Sequence, residues 1–456
     1  MENIIDINKR RYYDKPIKFL QDGIKVKELK EYIENHPFFD MHSHMAGFDL
    51  GGPVNDKLPR TLYSILTNDY LAYISSSCID APVPPSQCND TSYRRKYSEM
   101  KELLNKCQGL TTYKAIREGI RELHPFTEED ISEKNWDKIN HSIIKAYSTY
   151  GERQWQRMAC KKVKVVKQVH IATLPYVTNH LNSLGDEEKK NQLEILCPSL
   201  VIDGYIFTGF QVQHQAREMS YKIIGYTPKT LSDYLIFCEK VLDVFIQHGG
   251  KSIKLIAAYF RPLKFNLNIS EKRAKLLFEI GPANLSESAL QVLQDFLLYK
   301  ILIMAKNRKL PLIVHTGYSV PSEYGNPESL ENLFRDKNLS GLKIALAHAG
   351  WPNEGKAMIM ARTYRNCYFD LSWNVLLSEA LGNRILSEAI DMIPVNKILI
   401  GTDCGTVECF VGTVKIIRHA LYNVLAEKVS KGSFALDTAK DIASAILYNN
   451  AAEFHQ

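Results

Sequence analysis

Apolar positions recur along this chain with two periods, and the places where the period changes divide it into parts. The segment VKELKEYIENHP at 26–37 has helical spacing and predicts a short helix that Pro37 ends. The next stretch, FFDMHSHMAG at 38–47, begins with two aromatics, sets Asp40, His42 and His44 at every second position, and closes with Gly47. Side chains two apart share one face of a β-strand but not of a helix. The spacing therefore predicts a strand over 38–44 with three polar, metal-competent groups converging on one spot.

From about 55 to 160 the pattern is helical. APVPPSQCND reads as a loop, and SEMKELLNKC and TYKAIREGIREL as amphipathic helices. A third helix is predicted from Thr127, whose Thr-x-x-Asp pattern resembles a capping box, to about Ala159. This block is expected to be a helical insertion, either packing against the rest or covering a site as a lid. The resulting division is 1–54 as N-terminal segment and first strand, 55–160 as the insertion, and 161–456 as the remaining domain.

From about 162 a simpler rhythm begins: apolar strand, amphipathic helix, apolar strand. VKVVKQVHIAT, SIKLIAAY, LPLIVHTG, LKIALAHAG, CYFDLSW and KILIGTD are the strands, and two helices, at 411–429 and 436–454, end the pattern. Strands alternating with helices imply parallel βαβ units, and near-continuous apolar strands suit a sheet covered on both faces. Several strands end alike, in an apolar run, one metal-competent residue, then Gly within two positions: LIV-His315-Thr-Gly, ALA-His348-Ala-Gly and ILIGT-Asp403-Cys-Gly. Groups from the first, middle and last strands meet only if the sheet closes. The fold expected is an α/β (β/α)₈ TIM barrel whose C-terminal strand ends form one ring.

Composition narrows the function. The chain has 456 residues, 45% hydrophobic and 24% charged, which permits a large core. Its net charge of +6 is scattered, and KKVKVVK at 161–167 alternates like a strand, so no nucleic-acid partner is expected. No secretory signal and no apolar run of the ~20 residues that a membrane helix needs are apparent. Nine widely spaced cysteines without a C-x-x-C read as reduced thiols of a cytoplasmic protein. The expected partner is a small-molecule substrate, with no membrane, and homo-oligomerisation is compatible with the composition.

Several histidines with an aspartate make an N/O ligand set for Zn²⁺, or for Mn²⁺, Fe²⁺, Co²⁺ or Ni²⁺. An aspartate at the rim of such a site can take a proton from water and hand it to a leaving group, which is the logic of metal-assisted hydrolysis. Asp403 is the acid at the end of the last apolar strand, and Glu408 is the next candidate for the base. Tyr259 and Arg261, at or just past the end of SIKLIAAY, are candidate holders of a substrate oxygen or carboxylate. Trp373 and Asn374 are candidate pocket residues, and Asp370 reads as structural.

With these residues in place the chain resembles the amidohydrolase superfamily of metal-dependent barrel hydrolases. The resemblance covers the first strand and about residues 250–456, including the ending ILYNNAAEF. It is closest to the amidohydrolase-2 domains related to nodulin and those fused to glutamine synthetase. It implies His42 and His44 as the first-strand ligands, His315 and His348 as the ligands of strands five and six, and Asp403 as catalytic acid–base and ligand. His348 is either a ligand or, with a single metal, a catalytic residue. SIKLIAAY also resembles the fourth strand of hydantoinases, which implies that Lys254 is carboxylated and bridges two metals. The implied activity is hydrolysis of an amide C–N or ester-type bond with one or two divalent ions, foremost zinc. The 55–160 insertion is similar to that of uronate isomerases, which keeps a decarboxylase or uronate-isomerase-like reaction as the alternative. A non-catalytic metal-binding scaffold is the third reading.

Overall fold

A computed structural model describes residues 26–45, 60–68, 71–78 and 96–456. The expected loop at 81–90, Gly47 and the boundary at 54/55 lie outside the described residues. Eight parallel strands follow one another in sheet order: β1 (Phe38–Ser43), β2 (Val165–Ala172), β3 (Leu196–Val201), β4 (Ser252–Leu255), β5 (Leu312–His315), β6 (Ile344–Ala347), β7 (Cys367–Asp370) and β8 (Ile398–Leu399). The first strand meets the last segment through a parallel bridge between Ser43 and Cys404. Met41 N–H donates to the Ile400 carbonyl at 3.2 Å, Asp403 N–H to His42 at 2.8 Å and His44 N–H to Cys404 at 2.9 Å. The expected barrel is therefore the observed one.

Strand alternation sorts the core into two clusters. Ile253, Leu255, Leu312, Val314, Ile344 and Leu346 pack outward with the helices. Phe39, Met41, Val169, Ile171, Ile313, Ala345 and Leu399 form a separate inner cluster with Ala451 and Phe454 of the last helix. Helix Glu287–Asn307, introduced by Ser286 as cap, is long and apolar enough to cross a membrane by length and composition, with 56% of its apolar window buried inside the fold. That run is longer than the sequence reading allowed. A helix wedged into the wall of a barrel passes the same test as a membrane span.

Three local expectations are corrected. The strand β3, LCPSLV, is absent from the expected strands, and Pro198 makes it an unusual central strand. Proline lacks only the donor, and its carbonyl still accepts from Lys251 N–H at 2.9 Å. The helix expected from Thr127 begins instead at Glu133 behind Ser132. Asp130, the acid of the supposed cap, accepts from the Tyr113 hydroxyl. That helix, Glu133–Lys162, is also broken at Gly151, where φ is +70°.

The described helices between β1 and β2 pack firmly on the barrel. Helix Thr111–Leu123 crosses helix Val407–Ser430 backbone to backbone. A Cβ on Gly119 would lie 1.6 Å from the Glu408 carbonyl oxygen, and one on Gly412 would lie 1.8 Å from that of Ala115. Only glycine permits so close an approach from both sides.

Candidate metal centre

The site forms where β1 and the segment after β8 cross. His44 Nε2 lies 3.0 Å and His42 Nε2 3.6 Å from Asp403 Oδ1. One ligand atom from each of these three residues falls within 4.8 Å of the others, the geometry of a metal-holding cluster. His348 joins it through Nδ1, 3.5 Å from Asp403 Oδ2. Asp403, His348 and Trp373 all have left-handed backbone, with φ of +59°, +65° and +74°. Non-glycine residues held in that region mark places where the surrounding fold fixes a side chain's direction.

Asp40 does not join the cluster. The pairing of β1 with β2 is irregular between Asp40 and Ser43, and this shift breaks the every-second-position rule. The carboxylate of Asp40 instead accepts from Thr402 N–H at 2.7 Å, Thr402 Oγ1 at 2.8 Å and Gln168 Nε2 at 3.2 Å. It ties together the strands that carry the ligands. Burial raises its pKa to about 7 against these donors.

Burial, with Lys254 nearby, holds the imidazoles of His42 and His348 well below their ordinary pKa and that of His315 down to about 3. They are neutral at pH 7, as metal ligands must be. Their hydrogen bonds set the tautomers. His348 Nδ1 lies 3.0 Å from the Ser372 carbonyl, and His315 Nε2 2.9 Å from that of Tyr318. A carbonyl only accepts, so the proton sits on those nitrogens. The other two, His348 Nε2 and His315 Nδ1, then face each other 3.0 Å apart as bare lone pairs. Two acceptors pointed together need a cation between or beside them, and an outer carbonyl behind each ring is how proteins orient metal-binding histidines.

Lys254 is 1% exposed, and its amino group has no hydrogen-bond partner among the described residues. Burial lowers its pKa to about 8, while the charges of Asp403, Asp370 and Asp203 oppose the shift. The last two acids were overlooked or set aside in the sequence. Burial pushes Asp203 up to about 7 and Asp370 to about 6, and each keeps one buried carboxylate oxygen unpaired. Asp203 follows β3, the strand the sequence hid.

The remaining candidates separate. Tyr259 is half-exposed, with its ring centroid 4.3 Å from that of His315. Trp373 meets His348 edge-on at 5.4 Å. Asn374 is fully buried, with neither side-chain atom hydrogen-bonded. Arg261 was expected to hold a substrate carboxylate, but its guanidinium is 2.7 Å from Asp295 Oδ1 and 2.8 Å from Gln294 Oε1, committed to the fold's interior. Glu408 is not at the cluster. It accepts from His124 Nε2 at 3.0 Å, Tyr147 Oη at 2.9 Å and Trp155 Nε1 at 3.2 Å.

Residues 264–455 match the family model described as amidohydrolase. That segment, which holds β5 to β8 and the residues His315, His348 and Asp403, is similar to the amidohydrolase family. A 174-residue stretch is 26% identical to Protein fluG of Emericella nidulans, covering 36% of this chain and a fifth (20%) of that protein's length. Among solved structures, the barrel superposes on a uronate isomerase of Thermotoga maritima with a TM-score of 0.73 at 16% identity, covering 95% of this chain and 97% of that one. A glucuronate isomerase of Caulobacter crescentus gives 0.73 at 14%, covering 95% and 94%. A candidate metal-dependent hydrolase of Lactobacillus casei gives 0.63 at 17%, covering 94% and 97%. These identities establish a shared fold. Within that fold, this chain carries its acidic and imidazole groups at the C-terminal strand ends, where (β/α)₈ barrels place their sites.

Proposed function

We propose that this protein is an amidohydrolase-type, metal-dependent hydrolase that cleaves an amide C–N or ester-type bond in a small molecule. The observation that carries the reading is the cluster of His42, His44 and Asp403, buried beside two further imidazoles whose unprotonated nitrogens face one another. Neutral nitrogens with one carboxylate suit zinc first, and manganese, iron, cobalt or nickel after it. His42, His44 and Asp403 would hold one ion. His315, His348 and a carboxylated Lys254 would add the ligands of a second. When bound, such an ion supplies Lewis acidity and lowers the pKa of water to about 7. Asp403 contributes the proton transfer: its Oδ1 lies against His44 and its Oδ2 against His348, at the rim of the barrel where it can accept a proton and deliver it to a leaving nitrogen or oxygen. Ser372 and Tyr318 fix the rings of His348 and His315 through their carbonyls.

A second reading, a decarboxylase or uronate-isomerase-like reaction, is supported by the superposition on uronate isomerases over 95% of the chain. Lys254 divides the two. An amine of pKa about 8 is in part neutral near pH 7, the form that adds carbon dioxide to give a carbamate and a proton. The carbamate favours two ions and hydrolysis, and an unmodified ammonium favours one ion and the second reading. The test begins with metal content in protein purified without chelator. One or two divalent ions per chain are expected, and the His42→Ala, His44→Ala double variant should hold none; an unchanged ratio sinks the proposal. A screen of N-acyl amino acids, γ-glutamyl amides, lactones and uronates then decides the reaction.

A further inference from the structure

The loops after β3, β4 and β5 are contiguous at the mouth of the barrel, and each exposes a large apolar side chain there. Phe210 is 43% exposed, Tyr259 41%, Tyr318 49% and Val320 77%. A solvated loop is ordinarily polar, and an exposed apolar patch beside a reactive cluster marks what that cluster binds. One of these rings touches the histidine pair directly and a second stands one ring away from it. Tyr259 lies 4.3 Å from His315, while Tyr318 meets Trp373 edge-on at 5.6 Å and Trp373 in turn meets His348 at 5.4 Å. Phe210 extends the wall behind Tyr259 at 6.2 Å.

Two cations near this mouth are withdrawn from it. Arg261 is buried and neutralised by Asp295, and Lys254 lies deep among the acids and imidazoles. Among the described residues of these loops Lys264 is the one exposed cation, and the rings of Phe210, Tyr259 and Tyr318 stand where a sugar acid would require a fork of cationic donors.

We propose that the substrate of this site carries an aromatic ring adjacent to the scissile bond, packed against Tyr259 and Tyr318. The proposal rests on the reading of the site as the metal centre of a hydrolase and adds its substrate class. Offset or edge-on packing against two tyrosines favours an aromatic ring over an aliphatic one of equal size.

The experiment uses the full chain loaded with zinc and three probes with the same amide bond and carboxylate: N-benzoylglycine, N-cyclohexanecarbonylglycine and N-acetylglycine, with glucuronate as the fourth. Affinity is read by tryptophan fluorescence or saturation-transfer NMR, and cleavage by release of glycine. The benzoyl compound should bind between about two- and tenfold more tightly than the cyclohexyl one. Tyr259→Leu and Tyr318→Leu should each remove that preference, and Tyr259→Phe and Tyr318→Phe should keep it. Equal affinity for benzoyl and cyclohexyl compounds, tighter binding of glucuronate, or binding of none of the four overturns the proposal. Ring preference without cleavage leaves the substrate class standing and defeats the hydrolase reading. Cleavage without ring preference does the reverse.

Discussion

Two buried clusters of histidine and carboxylate lie within five residues of each other along the chain, and they are finished to different degrees. Around Glu408 the accounts close: three donors from His124, Tyr147 and Trp155 meet the two carboxylate oxygens, and His124 spends its other nitrogen on Ser142 at 3.1 Å. Around Asp403 they do not. Among the described residues the buried His42 Nδ1, the Lys254 amino group and one oxygen each of Asp203 and Asp370 have no hydrogen-bond partner, and two imidazole lone pairs confront one another. A buried polar group without a partner costs about 1–3 kcal/mol, so a fold keeps several together only where something else completes them. The saturated cluster is a rivet between the inserted helices and the barrel, and the unsaturated one is the candidate site. Identity of residue type does not distinguish them, but hydrogen-bond completeness does.

The comparison is broken most severely through Asp403. Asp403→Asn keeps size and fold and should reduce turnover by about 10²–10⁴-fold, the ordinary contribution of a positioned acid–base group. Steady-state rates on a substrate found by the screen measure it, and near-wild-type turnover would move the base elsewhere. Glu408→Ala should do the opposite. It strands three buried donors and should cost about 3–5 kcal/mol of unfolding free energy, read from a urea titration, with metal stoichiometry retained in the folded protein. Loss of metal at undiminished stability would reverse the two roles. Gly119→Ala tests the rivet from its other side. Its methyl group meets the Glu408 carbonyl, and the helices must separate at a cost of about 1–3 kcal/mol by the same titration.

The smallest effect is in pH. Burial holds His170 at about 3 against 6.5 for the free side chain. The unfolded chain therefore binds this proton more readily than the folded one between those values. The stabilisation from neutral His170 is complete above 6.5 and is lost as pH falls through the window, at about 1.4 kcal/mol per unit. His170→Gln should flatten the slope of metal-free stability against pH by close to one proton between pH 6 and 4. An unchanged slope would show that His170 titrates alike in both states.

The ring of strand ends was legible because each is a short-range pattern: apolar run, ligand, glycine. Both His42 with His44 and the three later ends follow it, and the barrel followed from them. What escaped depends on contacts distant in sequence or on a local exception. β3 escaped behind Pro198, and with it Asp203. Asp40 was misassigned because a shift in strand pairing leaves no trace in residue order. Arg261 read as a substrate ligand because nothing in its neighbourhood announces Asp295, and Glu408 read as a spare base because its partner His124 stands 284 positions earlier.

The junction between the first strand and the segment after the eighth also sets an order of events. Asp40 and Thr402 are 362 positions apart and hydrogen-bond directly, and His42 reaches Asp403 across the same seam. A nascent chain that has left the ribosome only as far as β7 has its first two histidines but nothing to close against. The long loop joining them must be folded before that contact forms, which places it among the slowest to arrive. Assembly of the His42, His44 and Asp403 cluster is therefore a late step of folding, and a truncated chain ending before residue 403 would be an open sheet without that cluster.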